Sequence, residues 1–372
     1  MAAVYLLAVP GGDVRLGEGD LDRPFMVAPA ESHPFLTLGD YFRAVELFLR
    51  RSGRGPAAGD PEDHAPGAVW FIRSEKHGAL YHIASAAMAG TRLAVTTAVS
   101  DPARAMLSRE FGVLRSLAAY CGPGLLPEVF DLRTIDLPGR GPAMTMMLGE
   151  WLDDYHEWHL SRELVGGAGV AIWDSRRGHG RLAEKEEREL IRQASRLLTL
   201  GYDPATFRQI HPWHHAAGDF VIRRGRGDTE PTVRLITARN HVPFLPFEPE
   251  GEAAPLMGLL WFFMHLALRM RLDRLDGTGD LAWLPDHLVL PMVAGFFAGL
   301  AEMPADRRAP LGPAAAILDL LQSFNFEELR QLHRPLLDLY DTAYPPEEVA
   351  LIATRLEGHV EQLLAALRSQ RV

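Results

Sequence analysis

The stretch 208–241 limits the possible folds more than any other part of the chain. Within it, His211, Trp213, His214, His215 and Asp219 place polar, metal-capable groups in nine residues. Phe220-Val221-Ile222 follows at once, then an Arg/Gly/Asp-rich turn at 223–228, then Val233-Arg234-Leu235-Ile236. Two short apolar runs split by turn residues predict a hairpin, and the polar residues ahead of them predict a loop held at one of its ends. Pro212 and Gly218 oppose a regular helix through that loop, because one lacks an N–H and the other costs backbone entropy.

At 372 residues the chain can bury a large core as two domains or as one bilobal domain. The net charge of −10 argues against a nucleic-acid partner, which needs a basic face. Nearly all cations are arginine; Lys76 and Lys185 are the lysines, so few places can carry a phosphate-binding ammonium. One cysteine, Cys121, excludes an internal disulfide and fits a reducing compartment. The start of the chain lacks the basic and apolar regions of a secretory signal. Residues 255–270 are apolar but short for a membrane span and include His265 and Arg269, so a buried helix is expected. The expected location is cytoplasmic, with no membrane partner.

Along the chain, 4–9 predicts a strand and 36–51 a helix with Thr37 as its cap and Asp40 three residues on. Gly, Pro and acidic residues at 53–66 predict a linker. Strands are expected at 68–72, 80–83 and 93–99, a helix at 102–118, and strands at 126–132 and 143–148 around a turn at 137–142. Residues 183–200 predict a helix burying Leu190, Ile191, Ala194, Leu197 and Leu198. Further helices are expected at 256–272, 288–300, 314–324 and 347–367. The resulting division is 1–66 as an N-terminal extension, 67–150 as a sheet-rich small lobe and 151–372 as a helical large lobe.

Three strands, a helix, two strands, a helical region and the loop–hairpin unit together resemble protein kinases and the related aminoglycoside and choline phosphotransferases, over roughly 68–300. The resemblance implies an α+β fold, bilobal and protein-kinase-like. Anchored on Phe220, it puts Asp219 at the metal-binding Asn, His214 at the catalytic-base Asp and Thr237 at the start of the metal-binding Asp-Phe-Gly. Anchoring on His211 instead puts Trp213 at the base. Leu93-Ala94-Val95-Thr96 lies where such folds carry Val-Ala-Ile-Lys, so Thr96 replaces the lysine, and Glu110 fits its glutamate partner. Ser74 to Gly78 would be the phosphate-covering loop, with Lys76 in reach of a phosphate, and Glu150 leads into the hinge.

Each of these groups has a structural reading beside the functional one. His211, His214 and His215 either bind a metal or act as acid/base groups, or they bond their own loop and pack with Trp213. Asp219 either holds Mg²⁺ through one carboxylate or fixes the loop by accepting N–H bonds. His156 and His159 could share a helix face as a packing stripe. Loss of the lysine at Thr96, the base at His214 and a carboxylate at Thr237 points to a pseudokinase-like binding or regulatory protein for a protein partner or small ligand. ATP and Mg²⁺ would be held weakly, if bound. The alternative is an atypical phosphotransferase or nucleotidyltransferase using His214, His211 and Asp219, with Lys76 or Arg239 for phosphate charge. A His-dependent metallohydrolase ranks below it.

Overall fold

A computed structural model describes residues 3–9, 12–28, 31–53, 69–78, 80–122, 124–137, 139, 143–162, 169–174, 178–225, 229–245, 248 and 250–371. The chain is mixed α+β, sheet-rich toward its N-terminal part and helical toward its C-terminal part. It forms two compact units, 1–118 with 127–153 and 119–126 with 154–372. Most of the expected linker at 53–66 and most of the turn at 137–142 lie outside the described residues, as do 226–228 of the hairpin turn.

The first unit contains β1 (Ala3–Val9), β2 (Gly12–Arg15), β3 (Pro24–Ala28), β4 (Glu31–Thr37), α1 (Leu38–Ser52), β5 (Trp70–His77), β6 (His82–Met88) and β7 (Thr91–Ala98). It also holds most of α2 (Asp101–Cys121), and then β8 (Val129–Ile135) and β9 (Met144–Glu150). Seven strands make one sheet in the order β2-β1-β5-β6-β7-β9-β8, and β3 pairs separately with β4. Every pair in the large sheet is antiparallel except β1 with β5. That parallel pair needs a long crossover, and the β3–β4 hairpin and α1 lie within it. The first 52 residues, expected as an extension ahead of the sheet, thus contribute two of its strands and a core helix.

Helix α1 starts where a reciprocal cap allows it. Thr37 Oγ1 accepts from the Asp40 N–H at 3.1 Å, and Asp40 Oδ2 accepts from the Thr37 N–H at 3.0 Å, an arrangement worth about 1 kcal/mol. Its inner face sinks Tyr41, Phe42, Val45, Phe48 and Leu49 into a core shared with Ile72, Ala84, Val95, Met146 and Leu148 of the sheet. A large apolar side chain buried this fully contributes about 1.5–3 kcal/mol relative to exposure.

One irregularity in β5 corrects the expectation of a phosphate-covering loop at Ser74 to Gly78. The strand continues to His77, and β6 begins at His82. Ser74 pairs with Ala84 and Lys76 with Ile83, so one extra residue, Glu75, sits in the ladder. This bulge resets the alternation. It puts His77 on the same face as Ser74 and Ile72, toward α1, and turns Lys76 to the opposite face. Strand β6 likewise starts later than expected and runs on through Ala84 to Met88, an alanine-rich stretch with little β-propensity that central burial holds in the sheet.

The second unit opens with β10 (Glu157–Ser161), β11 (Gly169–Trp173) and β12 (Gly180–Arg181), which form a three-stranded sheet. The expected helical stripe is not formed: His159 lies on β10, while His156 sits just ahead of it in an isolated antiparallel bridge to Ile222. Helix α3 (Glu184–Leu200) is followed by β13 (Arg208–Ile210), β14 (Phe220–Arg223), β15 (Thr232–Leu235) and β16 (His241–Pro243). The pairs are β13 with β16 and β14 with β15. Then come α4 (Ala254–Arg269), the hairpin of β17 (Leu272–Arg274) and β18 (Leu281–Trp283), and α5 (Val289–Glu302). The chain closes with α6 (Ala305–Arg308), α7 (Ala314–Ser323), α8 (Phe326–Leu332), α9 (Arg334–Ala343) and α10 (Pro346–Ser369).

Helices α3 and α5 pack closely because α5 presents glycine. A Cβ on Gly295 would lie 2.1 Å from the Arg192 carbonyl oxygen, and one on Gly299 would lie 2.6 Å from the Thr199 Cβ. Among the described residues no single helix is long and apolar enough to cross a membrane; 286–302 and 305–323 reach that length only together, across a 113° bend.

Candidate functional site

In the second unit the loop 211–219 adopts the extended and turn conformations that Pro212 and Gly218 impose, and Gly218 has φ +68. Trp213 and His215 are buried against Phe220, and the His215 ring lies 4.6 Å from that of Trp158. His215 Nε2 is 3.3 Å from the Met270 carbonyl oxygen, so that nitrogen carries the proton and donates. Burial lowers the His215 pKa to about 4, with nearby Asp273 opposing the shift.

Asp219 is the centre of the site and is wholly shielded from solvent. Its carboxylate accepts two parallel bonds from Arg239, Nη1 to Oδ2 at 2.8 Å and Nη2 to Oδ1 at 2.9 Å. Thr237 Oγ1 donates to Oδ1 at 2.8 Å and the His214 backbone N–H donates to Oδ2 at 2.8 Å. Four donors therefore converge on two oxygens, and the cation among them is covalently part of the chain. The hairpin sets this up: the Ile236 N–H donates to the Asp219 carbonyl at 2.8 Å, which carries Thr237 and Arg239 back beside the loop.

The His214 side chain has a second arginine. Arg269, near the end of α4, donates from Nη2 to His214 Nδ1 at 2.7 Å and from Nη1 to Glu348 Oε2 of α10 at 2.6 Å. Its guanidinium also lies 4.0 Å from the Tyr344 ring centroid. A guanidinium has only donors, so Nδ1 must accept and the neutral ring carries its proton on Nε2. Burial, reinforced by Arg269, lowers the His214 pKa to about 4. At neutral pH this imidazole offers a donor where a general base needs a free acceptor.

His211 belongs to an aromatic cluster beside it. Its ring stacks on Phe244 at 4.1 Å and lies 5.6 Å from that of His265, while His265 Nδ1 is 2.7 Å from the Tyr340 hydroxyl. Burial again sets the His211 pKa at about 4. His159 goes the other way. Burial alone would lower it, but Asp273 and Glu157 more than offset that and leave it raised. Among the described residues no group of three or more His, Cys, Asp or Glu is arranged to hold a metal ion.

The remaining candidates lie in the first unit. Lys76 pairs with Ile83, Ile83 with Thr96 and Thr96 with Met147, so Lys76 and Thr96 share one row and one sheet face. Two strand spacings separate their backbones by roughly 10 Å. Lys76 is exposed and Thr96 half-buried. Glu150 pairs with Leu93, which puts it on the α1 side of the sheet, away from the Thr96 face; it accepts from the Glu128 N–H at 3.3 Å. Glu110 is buried on α2, in a stripe with Ala103, Leu107, Leu114 and Leu117.

Sequence reasoning did not find Arg269, Glu348, Tyr340 and Tyr344 as partners of this loop. A signal for Arg269 was present, since His265 and Arg269 interrupt an otherwise apolar helix and a charge buried there requires a partner. Glu348, about 80 residues later, carries no such mark.

No known protein family matches the chain, and no curated protein does. Among solved structures it is similar to WaaP in complex with acyl carrier protein, with a TM-score of 0.30 and 10% identity, over 74% of this chain and 93% of that chain. A likeness of that size leaves the class of the protein to its own geometry.

Proposed function

We propose that the protein is a degenerate, kinase-like member of its fold class that works by binding or regulation, without phosphoryl transfer. One observation carries the reading: the carboxylate of Asp219 is closed by Arg239, Thr237 and the His214 N–H. A divalent cation needs open oxygen ligands and keeps several waters and phosphate oxygens around it. An oxygen pair that is fully shielded and already neutralised by a guanidinium does not fit that role. The element order supports the kinase-like part of the reading: β5, β6, β7, β9 and β8 are antiparallel neighbours in one sheet, α2 falls between β7 and β8 in the chain, and a loop–hairpin unit and an apolar helix follow.

The runner-up, a transferase with His214 as base and Asp219 on the metal, meets two obstacles. Nδ1 of His214 already accepts from Arg269, and Asp219 already holds an internal cation. The expected result with pure protein is no ATP turnover and no Mg²⁺-dependent thermal shift with ATP. Each lost electrostatic contact of several kcal/mol costs orders of magnitude in rate. Steady ATP hydrolysis or transfer that disappears in both Asp219→Ala and His214→Ala would overturn the reading.

A further inference from the structure

We propose that a cavity in the first unit binds a small amphipathic carboxylic acid, independently of any role for Asp219. The cavity measures about 420 Å³ and is bounded by the β3–β4 hairpin, β1, the end of β5 and the start of α1. That size falls within the range of small-molecule sites, about 300–1,000 Å³. Leu7, Pro24, Met26 and Leu38 form an apolar wall; Arg23, Ser32 and His77 supply the polar part.

The backbone places these groups. Met26 and Ser32 are cross-strand partners, so their side chains lie on one face of the hairpin. Leu7 is the parallel partner of Ser74, and the bulge at Glu75 turns His77 to that side. His77 is anchored from behind, with Nε2 3.0 Å from Ser74 Oγ and Nδ1 2.9 Å from Nδ1 of the buried His82. Both ring nitrogens are taken up, so His77 contributes the body of its ring to the cavity rather than a hydrogen bond.

The standing charge of the cavity is then Arg23. Its contact with Asp20 is long, 3.7 Å, and its side chain is 57% exposed; a pair of that kind is weak. Asp20 Oδ2 is in addition occupied by the Gly17 N–H at 3.0 Å. The guanidinium can therefore take a carboxylate through two parallel bonds, with Ser32 elsewhere in the lining and the alkyl part on Leu7, Met26 and Leu38. One cation on an apolar wall selects a single anionic head with a short tail; a polyphosphate would need more positive charge than this cavity has.

Calorimetric titration of the full chain with sodium decanoate, 1-decanol and decyltrimethylammonium, each below its micellar or solubility limit, tests this. The expected result is saturable one-site binding of decanoate and none of the ammonium. Arg23→Gln should weaken decanoate about tenfold while changing decanol less than about twofold. Met26→Trp, which fills the cavity, should abolish both; if it disturbs the hairpin, Ser32→Phe on the paired strand fills the same space. Absence of saturable decanoate binding, equal affinity for decanoate and the ammonium, or full decanoate binding in both filled variants would overturn the assignment.

Discussion

At the scale of single residues, the Asp219–Arg239 pair makes an asymmetric prediction. Arg239 keeps some contact with solvent through its side chain, whereas Asp219 has none. Arg239→Ala strands a shielded carboxylate, a change that costs about 3–5 kcal/mol for a buried pair. Asp219→Asn keeps the acceptor for Thr237 and releases the guanidinium toward water, so it should cost less. Urea unfolding of the two variants checks the order. Mg²⁺ should recover part of the loss in Arg239→Ala and none in wild type, because only the variant offers an anionic seat. Equal stability of the two variants, with no Mg²⁺ effect, would mean that the pair is not what holds the loop.

Histidines give a second prediction at this scale. Burial lowers His211, His214, His215 and His333 to about 4 and His82 to about 3. Above the ordinary value of about 6.5 these groups are neutral in both folded and unfolded chains and do not affect the balance. As the pH falls below it, the unfolded chain takes up protons that the folded one refuses until about 4, so stability declines through that window. His159, raised in the fold, contributes in the opposite direction: its stabilisation is full below about 6.5 and fades as the pH rises through its folded value. Far more histidines are lowered than raised, which predicts a net loss of stability between pH 6.5 and 4. Chemical unfolding at a series of pH values measures it, and a flat profile across the window would contradict the buried, neutral state of the loop.

At the scale of elements, two glycines in helices should respond oppositely to alanine. Gly295 sits where α5 meets the backbone of α3, and its added methyl would overlap the Arg192 carbonyl. Gly295→Ala should cost about 1–3 kcal/mol by forcing the helices apart. Gly358 lies mid-way along α10, exposed, with nothing within 4 Å of the added carbon. Gly358→Ala should stabilise by about 0.5–1 kcal/mol, since only the entropy of glycine in the unfolded chain is lost. Thermal unfolding of both separates close packing from propensity; destabilisation by both would show that α10 is more closely covered than its surroundings indicate.

At the scale of the whole molecule, α10 connects the C-terminal end of the chain to the candidate site. It supplies Glu348 to Arg269 and buries Val349, Ile352, Val360, Leu363 and Leu367. A chain ending at 345 leaves Arg269 buried without its carboxylate and uncovers that apolar stripe. It should lose near-ultraviolet circular dichroism and bind a hydrophobic dye while keeping much of its helical signal. A truncated protein that keeps its full near-ultraviolet spectrum would show that the loop is supported without α10.

Much of this protein was determined by sequence alone where local chemistry is decisive. The cap at Thr37 and Asp40, the apolar face of 183–200, and the hairpin after Asp219 all follow from periodicity and turn residues within a few positions. Tertiary structure decided what periodicity cannot encode. The alanine-rich β6 and the strand at 157–161 lack strong local preference and take their form from neighbouring strands. The bulge at Glu75, which decides the faces of Lys76 and His77, exists only in register with β6. The partners came from far along the chain: Arg239 lies 20 residues from Asp219 and Glu348 lies 79 from Arg269. A sequence shows that a buried charge needs a counter-charge, but only the folded chain shows which one comes within 3 Å of it.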